Sequence, residues 1–189
     1  MRIVGGRKIE VLFSAEAIAR RNLELAREIA AHEFHDLLVI AILKGSFIFA
    51  ADLIRCMHGA GLAPEVEFIL ISSYGAGTAS GGVRILRDID ASVKGRDVLL
   101  IDDILESGNT LAYTRYLVLN RGAKSVSIAV LLDKRGRRQL DIEAQFVGFA
   151  CPDCFVVGYG MDVAHTFREL PFVGVVTEKP GKGRSPRQR

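Results

Sequence analysis

The chain has 189 residues, 49% of them hydrophobic and 25% charged, with a formal net charge of +3. That length and balance read as one folded domain with its own core and exclude a disordered or collagen-like chain. No apolar run approaches a membrane span and residues 1–6 lack the apolar centre of a secretory leader, so the expected compartment is cytoplasmic, with no membrane partner.

Residues 14–34 are expected to form the first helix. Ser14 is a fair N-cap, Glu16 stands in the first turn, and Ile18, Leu25 and Ile29 share a face. Residues 37–42 are an unbroken apolar strand. Leu43-Lys44-Gly45-Ser46 then turns into a second helix with Phe47, Ala50, Leu53, Ile54 and Met57 on its apolar side, ended at residues 58–61. Residues 66–73 are the next strand. Residues 74–82 hold four glycines and almost no apolar bulk, which predicts a mobile lid loop between two hairpin arms, the second at residues 83–87.

A buried strand at residues 98–101 leads to a helix over 110–120, stopped by Arg121-Gly122. Residues 125–132 are another buried strand, followed by the basic turn Asp133-Lys134-Arg135-Gly136-Arg137-Arg138. Short strands are expected at 146–149, 155–159 and 173–176. Cys151-Pro152-Asp153-Cys154 has C-x-x-C spacing but no second ligand pair, so neither a metal nor a redox role is expected. Residues 179–189 carry five basic groups and no acid. The body, residues 1–178, is therefore left at −2, the difference between +3 and the tail's +5. The tail is expected to be disordered and solubilising, with nucleic-acid contact the lesser reading.

Strand and helix alternate over residues 37–132. The expected fold is α/β: an open, mainly parallel twisted sheet flanked by helices. Ligands of such sheets bind beyond the carboxyl ends of the strands, where Lys44, Asp102, Asp103 and Lys134 fall.

The chemistry concentrates in residues 97–111. Four apolar residues, Val98 to Ile101, precede the acids Asp102 and Asp103. Ile104-Leu105-Glu106 leads into Ser107-Gly108-Asn109-Thr110, which opens the helix. Outward amides at that turn and the helix dipole suit a phosphate, Gly108 permits close approach, and Ser107 and Thr110 can donate hydroxyl hydrogen bonds. The two aspartates repel phosphate and suit sugar hydroxyls, a metal or a cationic transition state. Phosphate and acid side by side point to a phosphorylated sugar.

This stretch resembles the phosphoribosyl-diphosphate motif of the type I phosphoribosyltransferases. Leu43-Lys44-Gly45-Ser46, Ser73-Tyr74-Gly75, Leu132-Asp133-Lys134-Arg135, Phe155-Val156-Val157-Gly158-Tyr159-Gly160-Met161-Asp162 and Phe167-Arg168-Glu169-Leu170-Pro171 resemble the hypoxanthine-guanine phosphoribosyltransferases, in that family's order. The resemblance implies that family's fold, with a small hood and a hairpin lid. It also implies purine salvage: a 6-oxopurine base and 5-phosphoribosyl diphosphate give IMP or GMP and pyrophosphate, with Mg²⁺ as cofactor.

By resemblance, Asp102 and Asp103 hold the ribose hydroxyls directly or through Mg²⁺. Glu106, Ser107, Gly108, Asn109 and Thr110 cradle the 5′-phosphate, and Glu106 takes the proton from purine N7. Lys44, Gly45 and Arg168 bind pyrophosphate, with a cis Leu43–Lys44 peptide. Ser73 and Tyr74 anchor the lid. Ile104, Lys134, Phe155 and Val156 bind the purine, and Asp162 holds a second Mg²⁺. A homodimer or homotetramer is also implied.

Two departures stand out. The family usually carries Asp where Glu106 stands and Thr where Ser107 stands. Glutamate is a methylene longer, so its carboxylate must retract or swing to reach N7. Two other readings compete: a xanthine- or guanine-preferring enzyme, and an RNA-binding regulator on the same fold, using the basic turn and tail.

Overall fold

Side-chain alternation sorts the central strands onto two faces of one sheet. The computed structural model describes residues 2–4, 6–73 and 83–177. Strands β1 (Arg2–Val4) and β2 (Arg7–Phe13) come first, then helix α1 (Ala15–Ala30), β3 (Leu38–Leu43) and α2 (Phe47–Gly59). The hairpin arms are β4 (Glu65–Ser73) and β5 (Val83–Arg87). β6 (Asp97–Leu105), α3 (Asn109–Asn120) and β7 (Ser125–Asp133) follow. A 3-10 turn (Arg135–Arg137), β8 (Phe146–Ala150), β9 (Val156–Val157) and β10 (Val173–Val176) complete the order.

Six strands form the main sheet in the order β5-β4-β3-β6-β7-β8, parallel throughout except for β5. Val39, Ala41, Leu99, Ile101, Ala129 and Leu131 point to one face, where they pack with Leu25 and Ile29 of α1 and Phe49 and Leu53 of α2. Their neighbours Leu38, Ile40, Val98, Leu100, Ile128 and Val130 point the other way, toward Leu111 and Val118 of α3. Strands covered on both faces must be apolar at every position, which is why these runs are unbroken. The expected open parallel sheet is borne out.

A second, antiparallel sheet runs β1-β2-β10-β9 and forms the hood. Its two N-terminal strands were not anticipated. Ile9 of β2 is fully buried against Val157, Phe172 and Leu170, and its backbone partner is Val176. That partner lies so far along the chain that local pattern carries little trace of the pairing. Tyr159 ties the hood to the helices. Its hydroxyl donates to Asp52 Oδ2 at 2.6 Å and accepts from Asn22 Nδ2 at 2.9 Å.

Several boundaries moved. α1 stops at Ala30, short of Phe34, because Ala31 closes the last turn and Asp36 takes a left-handed φ of 50°. β6 continues past its apolar run to Leu105, because Ile104 and Leu105 still pair with Leu132 and Asp133. The strand expected at residues 155–159 keeps only Val156 and Val157, since Gly158 and Tyr159 turn to positive φ and end it. The hairpin pairs as far as Ser73 opposite Val83. The expected lid loop at residues 74–82, Tyr74 included, and the basic tail both lie outside the described residues.

Candidate active site

The site begins where β6 leaves the core. Asp102 is buried and Asp103 half-buried, and the Asp103 amide donates to Asp102 Oδ1 at 3.0 Å. Burial pushes the Asp102 carboxyl well above the usual carboxylate range, and the Asp103 charge beside it adds to the rise. Burial raises Asp103 as well, against hydrogen bonds from Asp102 and backbone amides and the charge of Arg168.

The loop after β3 fits around this pair. The Leu43–Lys44 peptide is cis, as the resemblance implied. Gly45 is required there by space: a Cβ on it would stand 1.8 Å from Asp103 Oδ2.

The next turn opens α3. Gly108 has φ 89° and serves as N-cap without a side-chain hydrogen bond of its own. Only a residue at ease in the left-handed region suits that position, and a Cβ would also meet Ile142 Cγ2 at 2.6 Å. The Asn109 amide donates to Ser107 Oγ at 3.3 Å. Ser107, Gly108 and Thr110 line a cavity of about 320 Å³ that Asp102 and Asp103 close on the other side.

A second cavity of about 460 Å³ adjoins it, sharing Lys44, Gly45, Ile71, Asp103, Ile104 and Glu106. Lys134, Phe155, Val156, Asp162 and Arg168 also line it. Lys134 is 5% exposed, yet its ammonium lies 3.4 Å from Glu106 Oε1. Phe155 is 58% exposed and presents an open ring to the cavity. Arg168 Nη2 lies 2.6 Å from Asp162 Oδ1 and its Nη1 donates to Gly160 O at 2.6 Å. The His165 amide donates to Asp162 Oδ2 at 2.8 Å.

Lys44, Gly45, Asp102, Asp103, Ile104, Glu106, Ser107, Gly108, Thr110, Lys134, Phe155, Val156, Asp162 and Arg168 thus surround one pair of joined cavities. Asn109 lines neither; its amide braces Ser107 instead. Ser73 ends β4 at the cavity's edge, where the preceding Leu70, Ile71 and Ser72 and the facing Leu86 line the wall. Leu70, Ile71, Leu86 and Met161 were missed because they carry no polar group, and Ser72 because it was read only as part of a strand.

Arg137 and Asp153 were missed as well. The Arg137 guanidinium lies 3.6 Å from Glu106 Oε1 and 2.6 Å from Asp153 Oδ1. All four cations of the basic turn face carboxylates of the protein: Lys134 on Glu106, Arg135 and Arg138 on Asp133, Arg137 on Glu106 and Asp153. Paired cations offer less charge to an RNA backbone, which weakens one of the two features behind the regulator reading; the other, the basic tail, lies outside the described residues. Burial pushes the Cys151 thiol up to about 11, so it stays protonated at neutral pH, and its turn delivers Asp153 to the site rather than a thiolate.

Comparison with known proteins agrees with this geometry. The phosphoribosyl transferase domain matches residues 9–164. The hypoxanthine-guanine phosphoribosyltransferase of Bacillus subtilis (strain 168) is 47% identical over 170 residues, covering 88% of this chain and 92% of that protein. The hypoxanthine phosphoribosyltransferase of Escherichia coli (strain K12) is 41% identical over 172 residues, covering 89% and 95%. A solved hypoxanthine-guanine phosphoribosyltransferase from Bacillus anthracis superposes with a TM-score of 0.83 at 41% identity, covering 89% of this chain and 99% of that one. The chain belongs to the hypoxanthine-guanine phosphoribosyltransferase family.

Proposed function

We propose that this chain salvages purines by moving the 5-phosphoribosyl group of phosphoribosyl diphosphate to N9 of hypoxanthine, and of guanine, releasing pyrophosphate. The observation that carries the reading is the joined pair of cavities. One is floored by acids and closed by a helix N-terminus, and the other is lined by Lys134, Glu106 and Phe155.

The helix amides, Ser107 and Thr110 take the 5′-phosphate. Asp102 and Asp103 hold the ribose hydroxyls. As the C1′–oxygen bond to pyrophosphate breaks, positive charge grows on the sugar beside these carboxylates. N9 then bonds to C1′, and Glu106 accepts the N7 proton, a role worth about 10²–10⁴ in rate. Lys134 donates to O6. The 3.4 Å between Lys134 and Glu106 suits two groups that address adjacent atoms on one edge of a purine. Phe155 stacks on the ring and the Val156 backbone reads its far edge. Lys44, Gly45 and Arg168 hold the departing pyrophosphate, and Ser73 and Tyr74 anchor a lid that excludes water.

Mg²⁺ would sit on Asp102 and Asp103, with a second ion on Asp162. The donor set fits: two adjacent carboxylates, one buried and one half-buried, suit a cation that keeps substrate oxygens and waters as its other ligands. When bound it supplies charge for the leaving pyrophosphate. Asp162 would share its oxygens with Arg168 and the His165 amide.

Three free thiols suit a reducing cytoplasm, and no helix among the described residues is long and apolar enough to cross a membrane. We place the chain in a homodimer or homotetramer, which light scattering in solution checks. Residues 1–178 act as one domain and residues 179–189 as a solubilising tail.

The test is an initial-rate panel with phosphoribosyl diphosphate, Mg²⁺ and hypoxanthine, guanine, xanthine or adenine. Hypoxanthine and guanine should release pyrophosphate. Adenine, which presents a donor where Lys134 needs an acceptor, should be rejected by about 10⁴. Release with none of the bases, or adenine preferred, overturns the reading.

A further inference from the structure

One carboxylate oxygen of Glu106 faces two cations. Oε1 lies 3.4 Å from Lys134 Nζ and 3.6 Å from Arg137 Nη1. The other edge of the Arg137 guanidinium is occupied: its Nε lies 2.6 Å from Asp153 Oδ1. One planar fork therefore bridges the loop after β6 to the turn before β9. An ammonium, a point charge without fixed edges, could not do both at set angles. The neighbouring Arg138 fixes the register of this bridge. Its Nε donates to Glu106 O at 3.1 Å and its Nη2 to Leu105 O at 3.4 Å, while the same guanidinium also meets Ile142 O and Asp133. Arg137 thus hangs from a turn already fastened to the backbone of the residue it faces.

The length of Glu106 gives this bridge a purpose. A glutamate has one more rotatable bond than an aspartate and more positions to lose. Lys134 holds it only as a shared point charge, since a bound base also takes one of the ammonium's three donors through O6. Arg137 carries no such duty. We propose that Arg137, oriented by Asp153, is a positioning residue that keeps the longer Glu106 side chain folded back with its carboxylate at the N7 edge. The inference rests on Glu106 being the proton acceptor of the proposed reaction. A shorter aspartate at that position falls away from Arg137, so the clamp serves glutamate alone.

The experiment compares kcat and KM for Arg137→Met, Arg137→Lys and Asp153→Asn, each in the wild-type and Glu106→Asp backgrounds, with Glu106→Gln as control and thermal midpoints for all. Arg137→Met should lower kcat about fivefold, as the loss of one partly exposed ion pair implies, with both KM values within about twofold. Asp153→Asn should do the same to a smaller degree. Arg137→Lys should recover little, because it keeps the charge and loses the fork. In the Glu106→Asp background all three changes should be nearly silent, which a merely structural role would not produce.

Equal losses in both backgrounds, full recovery by Arg137→Lys, or a loss confined to KM overturns the clamp. If Glu106→Gln abolishes turnover while the cycle is additive, only the clamp falls. If Glu106→Gln turns over normally, the proton-acceptor role falls first and takes the clamp with it.

Discussion

Replacing Gly45 by alanine tests the fit between the pyrophosphate loop and the acidic pair. The new Cβ would stand 1.8 Å from Asp103 Oδ2 and 2.6 Å from its Cγ, whereas ordinary contact begins at 3.4 Å. The carboxylate must therefore retreat by about 1.6 Å, the difference between those distances. The loop cannot yield instead, because its Gly45 carbonyl is already packed on Gly160, where a Cβ would lie 2.1 Å from that oxygen. Misplacing a site group by about 1 Å costs about 10²-fold in rate. Gly45→Ala should lower kcat/KM for phosphoribosyl diphosphate by about 100-fold, or about 2.7 kcal/mol. Pyrophosphate release at fixed hypoxanthine measures it, with a thermal melt run alongside. A folded variant whose kcat/KM stays within about threefold of the parent would refute the placement of Asp103 in the site.

Thr110→Val removes one hydroxyl from the α3 N-terminus and keeps the shape. It should raise KM for phosphoribosyl diphosphate about tenfold with kcat little changed, as initial rates will read. Arg138→Met leaves the buried Asp133 with Arg135 as its remaining cation and removes the guanidinium from the carbonyls of Glu106 and Ile142, while Leu105 O keeps the Lys134 amide. A loss of about 2 kcal/mol, seen as a thermal midpoint about 6 °C lower, is expected. Asp97 is held below the usual carboxylate range: burial opposes its charge, but the His35 amide at 2.6 Å, the Ser125 hydroxyl at 2.7 Å and Lys124 at 3.5 Å outweigh it. Its native form binds a proton less readily than the unfolded chain does. Its contribution is therefore present above the ordinary carboxylate range and is lost as pH falls through and below it. Asp97→Asn should lower neutral-pH stability and flatten the acid limb, measured by urea midpoints across pH.

What could be read from the residues was what local rules govern. Val98 to Ile101 and its neighbours had to be apolar on both faces, so the parallel sheet stood out. The acids, Gly108 and Thr110 stood at fixed offsets from that run, so the phosphate side of the site was legible too. The hood was not. Ile9 pairs locally with Arg2, but its other partner, Val176, stands near the far end of the chain, and Val156 pairs with Val175, so the sheet as a whole has little local pattern. Glu106 was legible as an acid at the right place. Its partner Arg137 was hidden inside a basic turn whose charges looked like surface until their carboxylates came into view. The apolar wall of Leu70, Ile71 and Leu86 had no polar signal to mark it.

The most direct test is a crystal structure of the chain with IMP, pyrophosphate and Mg²⁺. The 5′-phosphate should lie on the amides that open α3, between Ser107 and Thr110. The purine should lie on the Phe155 ring with O6 at Lys134 and N7 at Glu106, and pyrophosphate between Lys44 and Arg168. Nucleotide bound at any other surface, or seated here with its phosphate turned toward Phe155, would contradict the account.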